Sequence, residues 1–305
     1  MPDASAPLPP GCFAFGVFGD GPYRAWEEGR FRRVIQDVDR SDIAWLLHVG
    51  DIFWYPCSDE HYDKLHATLN AIQHPVIYTP GDNEWADCHE GIEGDYPPLD
   101  RLAQLRRTFY PAPTRSLGAR PMRVVSQSEN PAFAEFVENA RWVKGGFVCA
   151  TLHMVGSGNG SETFPGRSAL DDSSLARRVA AAQAWLGEAF AIARRDSLHG
   201  VIIAMHSDPG LGARVPWPGY GDIAQRVKEF ALHFDGEVVL IHGDAHTYVV
   251  DHPIWDPPHP KPIQNFTRIG TFGSPDIGWV RVVVDSLAGR VVAVEPRRMS
   301  RWFLW

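Results

Sequence analysis

The residues with chemistry to offer fall at the ends of apolar runs. His48-Val49-Gly50-Asp51 closes the run Ile43 to Val49, and Val17-Phe18-Gly19-Asp20 closes an earlier one. Tyr78-Thr79-Pro80-Gly81-Asp82 and Leu240-Ile241-His242-Gly243-Asp244 end two later runs, and His206 follows Val201 to Met205. A buried strand that stops at Gly-Asp sets a carboxylate at its C-terminal edge, the side on which open α/β sheets bind ligands. Five strands thus deliver oxygen or imidazole donors to one rim. Carboxylate oxygens suit hard cations such as manganese or magnesium, and imidazoles suit zinc or iron. One Gly-Asp after a strand is usually just a turn that caps the next helix. Four such sites together with His206 and His246 make that reading insufficient.

To bring these donors to one rim the chain must alternate strand and helix. Cys12 to Phe18 reads as a buried strand, followed by a helix Trp26 to Asp39 with Phe31, Val34, Ile35 and Val38 on one face. Strand Ala44 to Val49, a helix capped by Ser58 or Asp59, strand Pro75 to Thr79 and a helix from about Asp100 to Phe109 follow. Asp20 to Asp51 and Asp51 to Asp82 are each 31 residues apart, the length of successive strand-helix units. Arg120 to Ser126, Ala140 to Val143 and Gly146 to Met154 read as β segments, and Gly156 to Gly160 as a loop. The longest helix is expected at Ser173 to Arg195, then strand Gly200 to Met205, a Pro- and Gly-rich loop Ser207 to Tyr220 that would wall or cover the rim, helix Asp222 to His233 and strand Glu237 to Ile241. Short β-branched segments close the chain at Thr247 to Val250, Asn265 to Thr271, Trp279 to Val284 and Val291 to Val294, and predict a second sheet packed on the first.

Composition bounds the function classes. The 305 residues are 44% hydrophobic and 22% charged, ordinary for a globular protein and enough for one large domain. A net charge of -8 argues against a nucleic-acid partner, which needs a basic face. No run approaches the roughly 20 apolar residues of a membrane span, and Met1 to Pro10 has no export-signal pattern, so a cytoplasmic location without membrane association is expected. Cys12 and Cys149 read as small core residues. Cys57 and Cys88 each follow a Gly-Asp aspartate by six residues, which leaves pairing of the two thiols open. Oligomeric state is not readable.

Taken together, Gly19-Asp20, Gly50-Asp51, Gly81-Asp82-Asn83-Glu84, His206 and Gly243-Asp244-Ala245-His246 resemble the motif series of the calcineurin-like metallophosphoesterase superfamily, in order and across nearly the whole chain. The resemblance implies an α/β fold, a four-layer α/β/β/α sandwich of two mixed β-sheets flanked by helices, spanning residues 11–296 with a short tail at 297–305. It implies two divalent metal ions and a small-molecule phosphoester substrate, mono- or diester. Asp20 and His246 would hold one metal, Asp82, His206 and Asp244 the other, and Asp51 would bridge them. Two cations about 4 Å apart polarise a phosphoryl group and make hydroxide from water near neutral pH, the nucleophile for in-line attack on phosphorus. The mostly oxygen donor set favours manganese, with magnesium, iron or zinc as alternatives.

Departures from the family pattern set the remaining expectations. Pro22 stands where the first motif has His, and Tyr23 is placed to replace it as a phenolate ligand; Tyr55 follows the second motif, where some relatives use a tyrosine. Asp82 replaces a ligating Asn and Asp244 a ligating His. Asn83 replaces the His that assists the leaving group, so Asn83 and Glu84 are the candidate catalytic residues, with His89 and His153 as further candidate proton donors. His242 is a candidate competitor of Asp244 for metal, and Trp54, Trp85 and Trp217 are candidate pocket walls. A relative that binds metal or a phosphorylated ligand with little turnover is the alternative to an active hydrolase.

Overall fold

The structure, a computed structural model, describes residues 7–53, 56–213, 215–255 and 261–299. Trp54, Tyr55 and most of the expected tail 297–305 lie outside them.

The first sheet is built on three parallel strands, β1 (Cys12–Phe18), β2 (Leu46–His48) and β3 (Val76–Tyr78). Their register sets Phe18 beside His48 and His48 beside Tyr78, so the chains leaving all three emerge together. The second sheet contains β4 (Val125–Ser126), β5 (Ala140–Lys144), β6 (Phe147–Thr151), β7 (Gly200–Ala204), β8 (Glu237–His242), β9 (Val249–Asp251) and β10 (Phe266–Gly270), ordered β4-β5-β6-β7-β8-β10-β9. Within it β6, β7, β8 and β10 are parallel neighbours, which brings the ends of β7 and β8 to one edge.

The closing segments divide between the two sheets, contrary to the expectation that they form the second sheet alone. β11 (Gly278–Asp285) and β12 (Arg290–Arg298) extend the first sheet antiparallel to β1, whereas β9 and β10 complete the second. The reason is edge satisfaction: β1 pairs with β2 on one side only, and the unpaired amides of its other edge are taken up by the long apolar strand Trp279 to Val284. β12 runs to Arg298, two residues past the expected domain end at 296.

Strand periodicity explains the layers. Phe13, Phe15 and Val17 of β1 point between the sheets and meet Ile202 of β7 and Ile241 of β8, while Ala14 and Phe18 point to the helices. Helices α1 (Glu28–Arg40), α2 (Asp59–Ala71) and α3 (Pro98–Phe109) cover the outer face of the first sheet, with Val34, Leu65 and Leu105 in that core. On the other side, α5 (Ala169–Arg195) and α6 (Gly221–Leu232) cover the second through Leu186, Phe190 and Val227. The result is the expected four-layer sandwich. Trp45 pins the two sheets, stacking on Phe15 at 4.9 Å and meeting the edge of Trp142 at 5.5 Å.

Several boundaries move for local reasons. α5 starts at Ala169 instead of Ser173 because Ser168 and Asp171 form a capping box. Of the expected β segment Arg120 to Ser126 only Val125–Ser126 is a strand, apart from an isolated bridge at Arg123. Gly156–Gly160 is the single turn α4, left-handed at Ser157, Gly158 and Asn159.

Candidate metal centre

Four of the six donors are aimed by backbone that few residues tolerate. Asp20, Asp51, Asp244 and His246 all have φ between 53° and 63°, in the left-handed region, where a short polar side chain is the best substitute for glycine. The glycines before the aspartates serve close approach: a Cβ on Gly81 would meet Asp51 Oδ1 at 2.1 Å, and one on Gly50 would meet the Gly81 nitrogen at 2.4 Å. Gly-Asp at successive strand ends is therefore a packing requirement of loops that touch, as well as a source of carboxylates.

At the centre lies His206, fully buried. Its Nδ1–H donates to the Val49 carbonyl at 2.7 Å, which fixes the tautomer and turns Nε2 toward Asp82 at 2.9 Å, Asp51 at 3.5 Å and Asp244 at 3.8 Å. His246 is held the same way, Nδ1–H to the Ser274 carbonyl at 2.8 Å, leaving Nε2 3.8 Å from Asp20 and 3.4 Å from the Tyr23 hydroxyl. The Tyr23 hydroxyl donates to Asp51 Oδ2 at 2.6 Å. Asp20 Oδ1 accepts the Asp244 amide at 2.8 Å. Asp82 is cradled by the left-handed turn: the Gly156 amide and the Ser157 hydroxyl donate to its two oxygens, each at 3.0 Å. Two overlapping triads result, Asp20-Asp51-His206 and Asp82-His206-Asp244, each with donor atoms within 4.8 Å of one another.

These residues fit a cation. Asp20 is fully buried, yet its Oδ2 has no hydrogen-bond partner. Burial pushes the Asp20 carboxyl up to about 8 and the Asp51 carboxyl well above its usual range. Burial opposes charge on His206, but Asp51 and Asp82 outweigh it and hold the imidazole well above its ordinary pKa. Three buried carboxyl groups and the part-exposed Asp244 around one imidazolium form an arrangement that positive charge at the centre relieves.

The other candidates separate clearly. Asn83 lines the cleft, its side-chain amide donating to the Phe53 carbonyl at 3.0 Å and its backbone amide to Asp51 at 3.2 Å. Glu84 lies beneath the cleft, fully buried, accepting the amides of Gly81, Asp51 and Ile52 at 2.8, 3.1 and 2.7 Å. It clamps the two loops that carry Asp51 and Asp82. His153 is buried and bonded to Glu138 at 2.6 Å, and His89 bonds to the Ala86 carbonyl and stacks on Phe164. His242 Nδ1 turns back to the Gly243 carbonyl, outside both triads. Trp85 is core, packed against Arg178 and His153, and Trp217 does not line the cleft. Cys57 and Cys88, left open by the sequence, are joined in a disulfide that ties the same two loops.

Over the donors opens a cleft of about 490 Å³, lined by Tyr23, Asp51, Asp82, Asn83, Asp244 and His246 and edged by Arg24, Trp26, Ser274 and Pro275. The last four were not singled out from sequence. Nothing in their spacing marks them; they reach the rim because the loop after β10 folds back over that after β1, with the Ser274 amide donating to the Asp20 carbonyl.

No family model and no curated protein matches the chain. Solved structures do. "Structure of PhoD" aligns over 94% of this chain at 13% identity and a TM-score of 0.52, and a putative 5'-nucleotidase from Staphylococcus aureus, in complex with alpha-ketoglutarate, over 96% at 13% identity and 0.50. TT1561 of Thermus thermophilus aligns over 94% at 10% identity and 0.50. The chain has a metallophosphoesterase fold. It spans 66% and 55% of the first two structures' own chains and 99% of the third, and at such identities the metallophosphoesterase likeness is one of architecture.

Proposed function

We propose that the protein is a binuclear metal-dependent hydrolase of small phosphoesters. The observation that supports this best is the pair of donor triads sharing His206, with Asp51 of the first triad bonded to Tyr23 and 3.5 Å from His206, and with His246, outside both triads, 3.8 Å from Asp20. On this reading Asp20 and His246 hold one metal, Asp82, His206 and Asp244 the other, and Asp51 bridges. Tyr23 stands in the gap left by Pro22. Two dications, when bound, polarise a phosphoryl oxygen and bring the pKa of water toward neutrality. The chain's own contribution is to orient the donors through Val49, Ser274, Gly156 and Ser157, and to hold the substrate against Asn83.

With four aspartates against two histidines, manganese is the expected ion, magnesium next. The disulfide points to an oxidising compartment in place of the cytoplasm expected from sequence. One feature favours the second reading, a metal binder with little turnover: the Asn83 amide is engaged by the Phe53 carbonyl, and an amide is no proton donor for a leaving group. Metal-stripped protein reloaded with manganese, magnesium, zinc or iron and assayed on 4-nitrophenyl phosphate and bis(4-nitrophenyl) phosphate separates the two. Metal-dependent turnover of either ester supports the hydrolase; bound metal with no turnover on both selects the binder.

A further inference from the structure

Beside the donor cleft lies a second cavity, of about 390 Å³, between α1 and α2. Tyr23 and Arg24 line both, so they form the wall between the two spaces. The floor of the second cavity is apolar, made by Phe31 and Ile35 of α1, Leu65 of α2 and Ile52 of the loop after β2. Phe31, Ile52 and Leu65 belong to the buried core beneath the first sheet, which makes the floor part of the packed interior and preformed. Its rim is basic, with Arg24, Arg32 and Lys64, and Glu28 is the one carboxylate among the described lining residues. In a chain with a net charge of -8 this grouping runs against the overall balance.

An apolar floor selects an apolar body by burial, and cations at the rim select an anionic group beyond it. The volume lies within the roughly 300–1,000 Å³ range of small-molecule sites. We propose that this cavity is the leaving-group subsite: it takes the apolar portion of an ester substrate bearing a second negative charge, while the phosphoester lies over Asp51 and Asn83. The inference rests on the hydrolase reading. It also accounts for the placement of Arg24, which stands where the two halves of such a substrate would join.

The test compares phenyl phosphate with a naphthyl phosphate bearing a ring sulfonate, on the metal-loaded protein. In Arg32→Glu/Lys64→Glu, two exposed positions whose replacement leaves the core intact, the ratio of kcat/KM for the sulfonated ester over phenyl phosphate falls by about tenfold or more. The control Lys144→Glu/Lys228→Glu makes the same change of net charge elsewhere and keeps the ratio. An equal ratio in the two variants overturns the subsite. If wild-type protein hydrolyses neither ester, the hydrolase reading fails, and the subsite is then judged by binding of the free sulfonated naphthol followed through its fluorescence. Affinity about tenfold weaker in Arg32→Glu/Lys64→Glu than in the control supports it, and equal affinity overturns it.

Discussion

At the scale of single residues, Glu84 and Asn83 show how position decides role. Glu84 follows a Gly-Asp-Asn motif and reads from sequence as a proton donor, yet both its oxygens are taken by three backbone amides under the cleft. Glu84→Gln keeps one acceptor oxygen and turns an amide group toward backbone N–H donors, which should lower stability by about 1–3 kcal/mol and weaken metal binding. If Glu84 only positions the loops, aryl and alkyl esters slow by the same factor; a selective loss on alkyl esters, measured across a series of leaving groups, would show it to be an acid instead. Asn83 leads to a separate expectation. With no proton donor at that position, aryl esters should react faster than alkyl esters by about 10²–10⁴, and comparable rates on both would place an acid elsewhere in the cleft. Asp244 has a third: exchanging this oxygen donor for nitrogen in Asp244→His should move metal preference from manganese toward zinc, read as the relative activation by the two ions.

The element that does most to shape the site is the pair of loops after β2 and β3. They are joined by the Glu84 clamp and by the Cys57–Cys88 disulfide, which closes a loop of 31 residues in sequence. Such a crosslink contributes about 3–4 kcal/mol in the chain-entropy account. Cys88→Ser should therefore lower the melting temperature and weaken metal affinity, since Asp51 and Asp82 sit on the two loops it ties; unchanged metal affinity would show that the clamp suffices. How far these elements could be read from sequence depends on where their causes lie. The 31-residue spacing and the Gly-Asp endings identified the strand-helix units because strand burial and loop contact act locally in the chain. The left-handed turn α4 read only as a loop, since its hold on Asp82 joins residues 74 and 75 positions apart. Tyr23 read as a replacement ligand from its neighbour Pro22; in the fold its hydroxyl donates to Asp51. Trp26 and Arg24 escaped notice because only the tertiary fold brings them to the rim.

For the whole molecule, two sheets share one apolar interior, and that arrangement was expected from the β-branched segments that close the chain and from the family resemblance. The allotment of the last four strands was not, because β11 is drawn to an edge of β1 more than 260 residues earlier in the chain. Buried histidines tie this interior to pH. Burial pushes His153 down to about 4 from 6.5, against the pull of Glu138. Between those values the unfolded chain binds the proton that the folded chain refuses, so the contribution is full above about pH 6.5 and is lost as pH falls toward 4. The loss is on the order of 3 kcal/mol. His153→Gln should flatten the fall of melting temperature between pH 7 and 4, and an unaltered slope would assign the acid sensitivity to other groups.

The most direct test of the binuclear account is the number of manganese ions bound per chain, counted by equilibrium dialysis and elemental analysis on wild-type protein and on Asp51→Asn. Asp51 belongs to the Asp20 triad, bonds Tyr23 and the Asn83 amide, and lies 3.5 Å from His206, the residue shared with the Asp82 triad, so the binuclear account makes it the bridging carboxylate. The account predicts two ions per wild-type chain, one or none in Asp51→Asn, and loss of ester hydrolysis in step with the lost metal. Two ions retained in Asp51→Asn with normal turnover would contradict it.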